Sequence, residues 1–381
     1  MNSYDVIVLG VGGMGSATCY ALAKRGVRVL GLEQFRIGHD RGSSHGQTRM
    51  IRRAYFEHPD YVPLLNRAYE LWDELEQTSG RRLFQRVGLV IYGASESAIL
   101  SGVRKSAEQH QIPIEILNPQ QAAAFHPGFC PAGDHGAIFE PAAGFLHVEE
   151  SVVQMCALAV RLGAQILEGE AIESWKAVGS GVEVTTAKKT FYAQKLIITA
   201  GAWAKDLLAE LSLPLVVHRN LLHWFAAPDI YDCAKGTPCF AFDTPQGFIY
   251  GFPKIDPSGI KIANHVPGRR ISDPGEFNSS VVKEEGEDPS QLEPLRRCLA
   301  TALPLVGPTA SRQMACMYTM SPDENFILGI HPTHPQVAFV AGLSGHGFKF
   351  APVVGEALAD LASQGHTELP IEFLSYSRFS G

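Results

Sequence analysis

The residues with the clearest chemical use lie at the start of the chain. The apolar stretch 5–9 runs straight into Gly10-x-Gly12-x-x-Gly15, and a second apolar stretch, 27–32, ends on the acid Glu33. Glycine at the first position permits a tight turn, at the second lets backbone approach a pyrophosphate, and at the third lets a helix pack on a sheet. Phosphates would sit at the helix N-terminus, where unpaired N–H groups and the helix dipole favour negative charge. Glu33 stands where an acid accepts hydrogen bonds from a ribose diol. The pattern predicts a strand–turn–helix–strand unit that binds a dinucleotide. A ligand-free glycine turn would not need strand, helix, second strand and terminal acid in register.

Hydrophobic periodicity predicts the elements that carry this unit and what surrounds it. A polar loop rich in Gly, Ser and His covers 36–47. Helices are expected at 61–78, 95–109 and 148–162, and strands at 88–92, 165–168, 181–185 and 195–199. The last strand leads through Gly201-Ala-Trp203 into a further helix. Strand signals dominate 216–265, and 274–290 reads as a polar, acidic surface loop. A strand at 337–341, a Gly-rich loop and a helix at 352–363 close the chain. Nucleotide-type segments thus recur at the start, middle and end. The expected fold is α/β: a Rossmann-like dinucleotide domain (1–80, 150–215, 315–381) with a second, mostly antiparallel-sheet α+β domain (81–149, 216–314) inserted in pieces.

Composition narrows the partners. The 381 residues are 45% hydrophobic and 19% charged, which suits a globular chain with one or two buried cores. A net charge of −7 without a long basic block argues against nucleic acid. The longest apolar run, 337–343, is strand-sized, so no membrane span is expected, and the early glycine pattern leaves no room for a signal peptide. Seven cysteines without C-x-x-C spacing argue against zinc and a disulfide scaffold, and fit a reducing cytoplasm. The 14 histidines show no metal-ligand spacing, so no metal is expected.

The glycine pattern alone does not separate NAD from FAD. The segment after it does: Gly42-Ser-Ser-His-Gly-Gln-Thr-Arg-Met-Ile-Arg-Arg-Ala-Tyr55 resembles the monomeric sarcosine oxidase and N-methyltryptophan oxidase family, flavoenzymes that oxidise secondary amino acids. The resemblance recurs at Gly201-Ala-Trp203, Tyr250-Gly-Phe-Pro253, Gly259-Ile-Lys261 with His265, and Cys316-Met-Tyr318. It ends with Gly342-Leu-Ser-Gly-His-Gly-Phe-Lys-Phe350, and the segments follow family order over nearly the whole chain.

The resemblance implies FAD, held by Gly10, Gly12, Gly15, Glu33, His45, Thr48, Gly201, Trp203, Gly345 and Gly347, and joined covalently to Cys316 through a thioether. A thiolate is the nucleophile such a bond requires. Arg52 and Lys349 are the implied carboxylate clamp; a guanidinium fork matches a planar carboxylate, and an ammonium adds a point charge. Lys349, between Phe348 and Phe350, would need a partner for its charge. Lys261, flanked by Ile260 and Ile262, corresponds to the lysine that activates oxygen by stabilising superoxide. His265, Tyr250, Tyr318 and His346 are expected to line the pocket. Arg49 and His45 are expected beside the flavin, their charge favouring its anionic reduced form, with Thr48 and Glu57 holding the loop.

The implied reaction is hydride transfer from the carbon beside nitrogen to FAD. Imine hydrolysis then gives formaldehyde and the demethylated amino acid, and O2 is reduced to hydrogen peroxide by a monomer. The chain departs from the sarcosine pattern at Ala241, where a bulkier methionine is usual, and at Ser44 and Gln47, where His and Asp are typical. The smaller Ala241 suggests a roomier substrate pocket, open to a larger or cyclic secondary amino acid such as pipecolate or proline. A flavin dehydrogenase that passes electrons to a carrier is the alternative, against which Lys261 argues.

Overall fold

The computed structural model describes residues 4–280 and 289–379. Its first unit forms as the sequence dictates: strand Tyr4–Leu9, helix Gly13–Lys24 and strand Val29–Glu33. The two strands pair in parallel, Val6 opposite Val29 and Leu9 opposite Leu32. Gly10 turns at φ +84°, a conformation L side chains rarely adopt. A Cβ on Gly15 would lie 1.8 Å from the Gly10 carbonyl oxygen, so this helix docks on its turn only through glycine.

This unit sits at the centre of an eight-stranded sheet. Strand Thr190–Ile198 serves two directions. Its first half pairs antiparallel with Gly181–Thr186, which in turn pairs with Ile172–Val178. Its second half pairs in parallel with Tyr4–Leu9 on one side and Val337–Ala341 on the other. Helices Gly13–Lys24, Val148–Arg161 and Ala351–Gln364 pack on one face.

A nine-stranded, mostly antiparallel sheet forms the second body of structure. Its one parallel pairing joins Leu89–Gly93 to Cys239–Thr244. The long strands Val216–Phe225 and Ala310–Met320 pair along almost their whole length. In a small third sheet, Gly144–His147 pairs antiparallel with both Thr48–Ile51 and Phe84–Arg86. The helix Tyr61–Ser79 buries Tyr61, Leu64, Leu65, Tyr69, Trp72 and Leu75 on its inner face. The Trp72 indole N–H donates to the Lys349 carbonyl at 2.9 Å, tying this helix to the C-terminal glycine loop.

Some expectations need correction. Ala310–Met320 crosses the expected domain boundary at 314/315, because cross-strand pairing with Val216–Phe225 holds all of it in the nine-stranded sheet. The helix expected after Trp203 is only a 3-10 turn and the four-residue Ala204–Leu207. Strand Ile172–Val178 and helix Pro289–Ala302 were not read from the sequence; the helix carries an internal Pro294, a residue that argues against a helix interior. The segment 281–288 of the expected acidic loop lies outside the described residues. Among the described residues no helix is long and apolar enough to cross a membrane, and all seven cysteines are free.

Candidate active site

A cavity of about 300 Å³ begins at the glycine turn. Gly10, Gly12, Glu33 and Trp203 line it together with Arg49, Tyr318, Gly345, Gly347 and Phe348. Gly12 is open toward it, since a Cβ there would meet only Ser44 Oγ at 3.8 Å. The Glu33 carboxylate accepts from the Val11 N–H at 2.8 Å and the Phe35 N–H at 3.0 Å, which fixes it in the wall. Ser44 Oγ accepts from the Gly13 N–H at 3.1 Å, taking one unpaired donor of the helix N-terminus.

A smaller cavity, about 60 Å³, adjoins the first and shares Arg49, Gly345 and Phe348 with it. Its walls bring together Arg52, Glu57, Tyr250, His265, His346 and Lys349 with the apolar Met50, Phe56 and Phe248. Arg52 lies between the rings of Tyr55 and Phe56, at 4.4 and 4.3 Å. Its Nη2 donates to both Glu57 oxygens, at 2.7 and 2.9 Å. Burial pushes the Glu57 carboxyl up, but the charge and hydrogen bonds of Arg52, with Lys349 nearby, overcome this and hold it down at about 2. Lys349 Nζ donates to the His346 carbonyl at 2.8 Å and to Tyr55 Oη at 3.3 Å, which leaves one of its three N–H groups. Burial, then the nearby Arg52, lowers the Lys349 ammonium to about 7. Burial likewise brings His265 to about 4 and His346 to about 3, so both are neutral near pH 7. The net field in the small cavity is positive.

The segment that carries Arg49 and Arg52 is held at both ends. At the first, Glu149 accepts from the Gly46 N–H (2.7 Å) and the Gln47 N–H (3.1 Å). On the same turn, Lys261 Nζ donates to the Gly46 carbonyl (2.7 Å), the Thr48 carbonyl (2.8 Å) and Thr48 Oγ1 (3.2 Å). Gly46 and Gln47 both have positive φ, +88° and +68°. At the other end, Glu140 accepts from the Arg53 N–H (2.7 Å) and the Ala54 N–H (3.1 Å). The Gln47 side chain accepts from the Trp224 indole and donates to Asp256, at 2.7 and 2.6 Å.

Most expected site residues meet at these two cavities, but several do not reach them. Gly15 acts in helix packing. Thr48 turns its oxygens to Lys261, and the Lys261 ammonium is fully occupied by the turn, 3% exposed, with burial lowering it well below its ordinary value. His45 is fully buried with neither ring nitrogen hydrogen-bonded. Burial, then Arg49, takes it to about 4, so it carries no charge near neutral pH and the expected contribution of its charge is absent.

Ala241 does not line the small cavity. It packs in the core opposite Tyr250 and Ile91, and the space a roomier pocket would need is bounded by Phe248 and Phe56, whose rings meet edge-on at 5.3 Å. Cys316 is 1% exposed behind both cavities, on the strand face it shares with Tyr318 and beside Leu222, Trp224 and Ala263. Burial pushes its thiol up, while Arg49 and Lys261 pull it the other way. Phe56, Phe248, Met50, Tyr55 and Ser44 are the site residues sequence reasoning did not assign; Phe56 and Met50 flank Arg52 in the same loop.

Among the described residues, one group with metal-ligating side chains occurs, Glu210, His331 and His334, with donor atoms within 4.8 Å. His331 Nδ1 accepts from the Thr333 and His334 N–H groups, both at 3.2 Å, so the neutral ring carries its proton on Nε2, 2.8 Å from Glu210 Oε1.

A glycine-turn dinucleotide cavity that opens onto a small cationic chamber defines a flavin-type oxidoreductase acting on a small anionic substrate. The chain belongs to the FAD dependent oxidoreductase (DAO) family, whose model matches residues 5–361. It is 40% identical to a monomeric sarcosine oxidase of Streptomyces avermitilis over 375 residues, covering 97% of this chain and 96% of that protein. It is 36% identical to an N-methyl-L-tryptophan oxidase of Yersinia pestis, with 99% of each covered. Among solved structures it resembles NikD, described as an unusual amino acid oxidase essential for nikkomycin biosynthesis, with a TM-score of 0.84, 26% identity and 98% of each chain covered. The residues fit FAD: an open glycine turn, a fixed acid beside it, and Arg49, Tyr318 and Phe348 in the wall of the same cavity.

Proposed function

We propose that this protein is an FAD-dependent oxidase of N-methyl amino acids, with O2 as acceptor and FAD joined to Cys316. The observation that carries this is the meeting of the two cavities at Arg49, Gly345 and Phe348, with Arg52 and Lys349 in the smaller one. When bound, FAD supplies the hydride acceptor and passes electrons to oxygen to give hydrogen peroxide.

The chain's own residues bind and orient. Arg52 and the free N–H of Lys349 take the substrate carboxylate, with Arg52 sharing its fork between substrate and Glu57. The positive field of Arg49, Arg52 and Lys349 favours the neutral, reactive form of the substrate amine. Tyr250 and Tyr318, whose hydroxyls are 3.3 Å apart, flank the reacting end. Phe56, Phe248 and Met50 keep water out and limit the side chain to a small one, which supports sarcosine over bulkier or cyclic substrates. Burial raises the Cys316 thiol overall, and Arg49 is the neighbouring charge that opposes this and favours the thiolate the bond requires.

Sarcosine, N-methyltryptophan, proline and pipecolate, offered in turn to the purified yellow protein, test this through peroxide release and anaerobic bleaching. Bleaching by sarcosine is expected. A protein that stays yellow with all N-methyl amino acids would overturn the proposal.

A further inference from the structure

Glu140 is a buried acid, 3% exposed, at the end of strand Gly136–Glu140 in the nine-stranded sheet. Burying a carboxylate is costly unless its oxygens are taken up by donors. Here the donors are two consecutive backbone amides, Arg53 N–H on Oε1 and Ala54 N–H on Oε2. These amides follow the last residue of strand Thr48–Ile51, where the chain has left its ladder with Gly144–His147. A buried N–H that leaves a ladder needs another acceptor, and Ala54 is fully buried. The residue just before them is Arg52. The substrate sheet therefore grips the chain at the root of the arginine and not at its guanidinium.

The arrangement has a counterpart at the other end of the same segment, where Glu149 holds the Gly46 and Gln47 amides. Both acids flank Gly144–His147, the strand that pairs with Thr48–Ile51. One continuous stretch of chain, 140–149, thus fixes 46–54 by a ladder in the middle and a carboxylate at each end.

We infer that Glu140 is a positioning residue for the substrate-carboxylate clamp: it sets the backbone from which Arg52 reaches the small cavity. This rests on the proposed role of Arg52. Glutamine at 140 keeps size but offers one acceptor, and its amide would face the second N–H. Aspartate keeps the charge but falls short of spanning both amides.

The test is steady-state oxidation of an N-methyl amino acid by FAD-loaded Glu140→Gln, Glu140→Asp, Arg52→Ala and the Glu140→Gln/Arg52→Ala pair, with melting temperature and flavin absorbance recorded alongside. A misplacement of about 1 Å costs on the order of 100-fold, so Glu140→Gln should raise KM roughly 10- to 100-fold and change kcat much less. Glu140→Asp should lie between it and the unaltered protein, and serves if the glutamine variant fails to fold. In the Arg52→Ala background, Glu140→Gln should add less than about twofold, since residues acting through one another are not additive. If Arg52→Ala raises KM but both Glu140 variants leave it unchanged, or the two effects multiply, Glu140 is removed and the clamp stands. If Arg52→Ala itself leaves KM unchanged, the clamp falls, and Glu140 with it.

Discussion

Gly12 and Gly15 are three residues apart in one motif, yet the structure separates their tasks, and substitution by alanine tests this. At Gly12 the backbone has φ −75°, which L residues adopt, and an added Cβ meets only Ser44 Oγ at 3.8 Å. The polypeptide should accept the methyl at a cost of a few tenths to about 1 kcal/mol, because Gly12 is also the N-cap and alanine caps poorly. What the methyl displaces is the phosphate expected there. At Gly15 an added Cβ would lie 1.8 Å from the Gly10 carbonyl oxygen and 2.8 Å from Thr199 Oγ1. Backbone must move, and overpacking of this kind costs roughly 1–3 kcal/mol or more. Gly12→Ala should therefore purify as a folded, colourless protein whose melting point lies within about 4 °C of the unaltered apoprotein. In the Cys316→Ser background, where FAD is held without the covalent bond, its deficit against the FAD-saturated protein should approach the linkage contribution of the cofactor, about 2.7 kcal/mol at 100 times Kd. Gly15→Ala should melt lower in both states. Absorbance near 450 nm and thermal melting, with and without added FAD, read both effects. A fully yellow Gly12→Ala protein would place the phosphates elsewhere and refute the reasoning.

Further outcomes follow from the small cavity. Arg52→Ala should raise KM for an N-methyl amino acid roughly 10- to 150-fold, the equivalent of about 1.5–3 kcal/mol for a charged hydrogen bond, with a smaller fall in kcat; unchanged KM by peroxide assay removes it from the clamp. Lys349, at about 7, is charged below that pH and neutral above it. Binding of a carboxylate ligand that lacks an amine should be strongest below pH 7 and weaken as pH rises, by at most about tenfold per unit. Lys349→Met should flatten this profile in a flavin-absorbance titration, since His265 and His346 stay neutral across the window. Cys316→Ser should release FAD on acid precipitation, whereas the unaltered protein should pellet yellow; free flavin above the unaltered pellet sinks the covalent link. Phe248→Ala opens the wall it makes with Phe56 and should shift kcat/KM toward bulkier N-methyl amino acids.

The dinucleotide unit was legible in the sequence because its requirements are local. Gly10, Gly12, Gly15 and Glu33 are fixed by turn geometry within one βαβ unit, and spacing alone exposes them. That Arg52 and Lys349 share one small cavity was legible only through the resemblance, since nothing local joins positions almost 300 residues apart. Side-chain surroundings were the least legible. Ala241 was read as a pocket residue because a position cross-strand from the cavity-lining Tyr250 does not reveal its own burial in the core. His45 was misread because its charge is decided by burial, which a loop sequence does not show. Glu140 escaped notice because its partners are backbone amides, which leave no trace in residue types.

The shared wall between the cavities has a thermodynamic consequence. Arg49, Gly345 and Phe348 face both chambers, so any displacement of them by an occupant of one changes the fit of the other. Such coupling is reciprocal: if FAD strengthens binding of a carboxylate by some factor, the carboxylate strengthens binding of unattached FAD by the same factor. Newly made chains awaiting their pigment would then hold it best in medium rich in the very amino acid they consume.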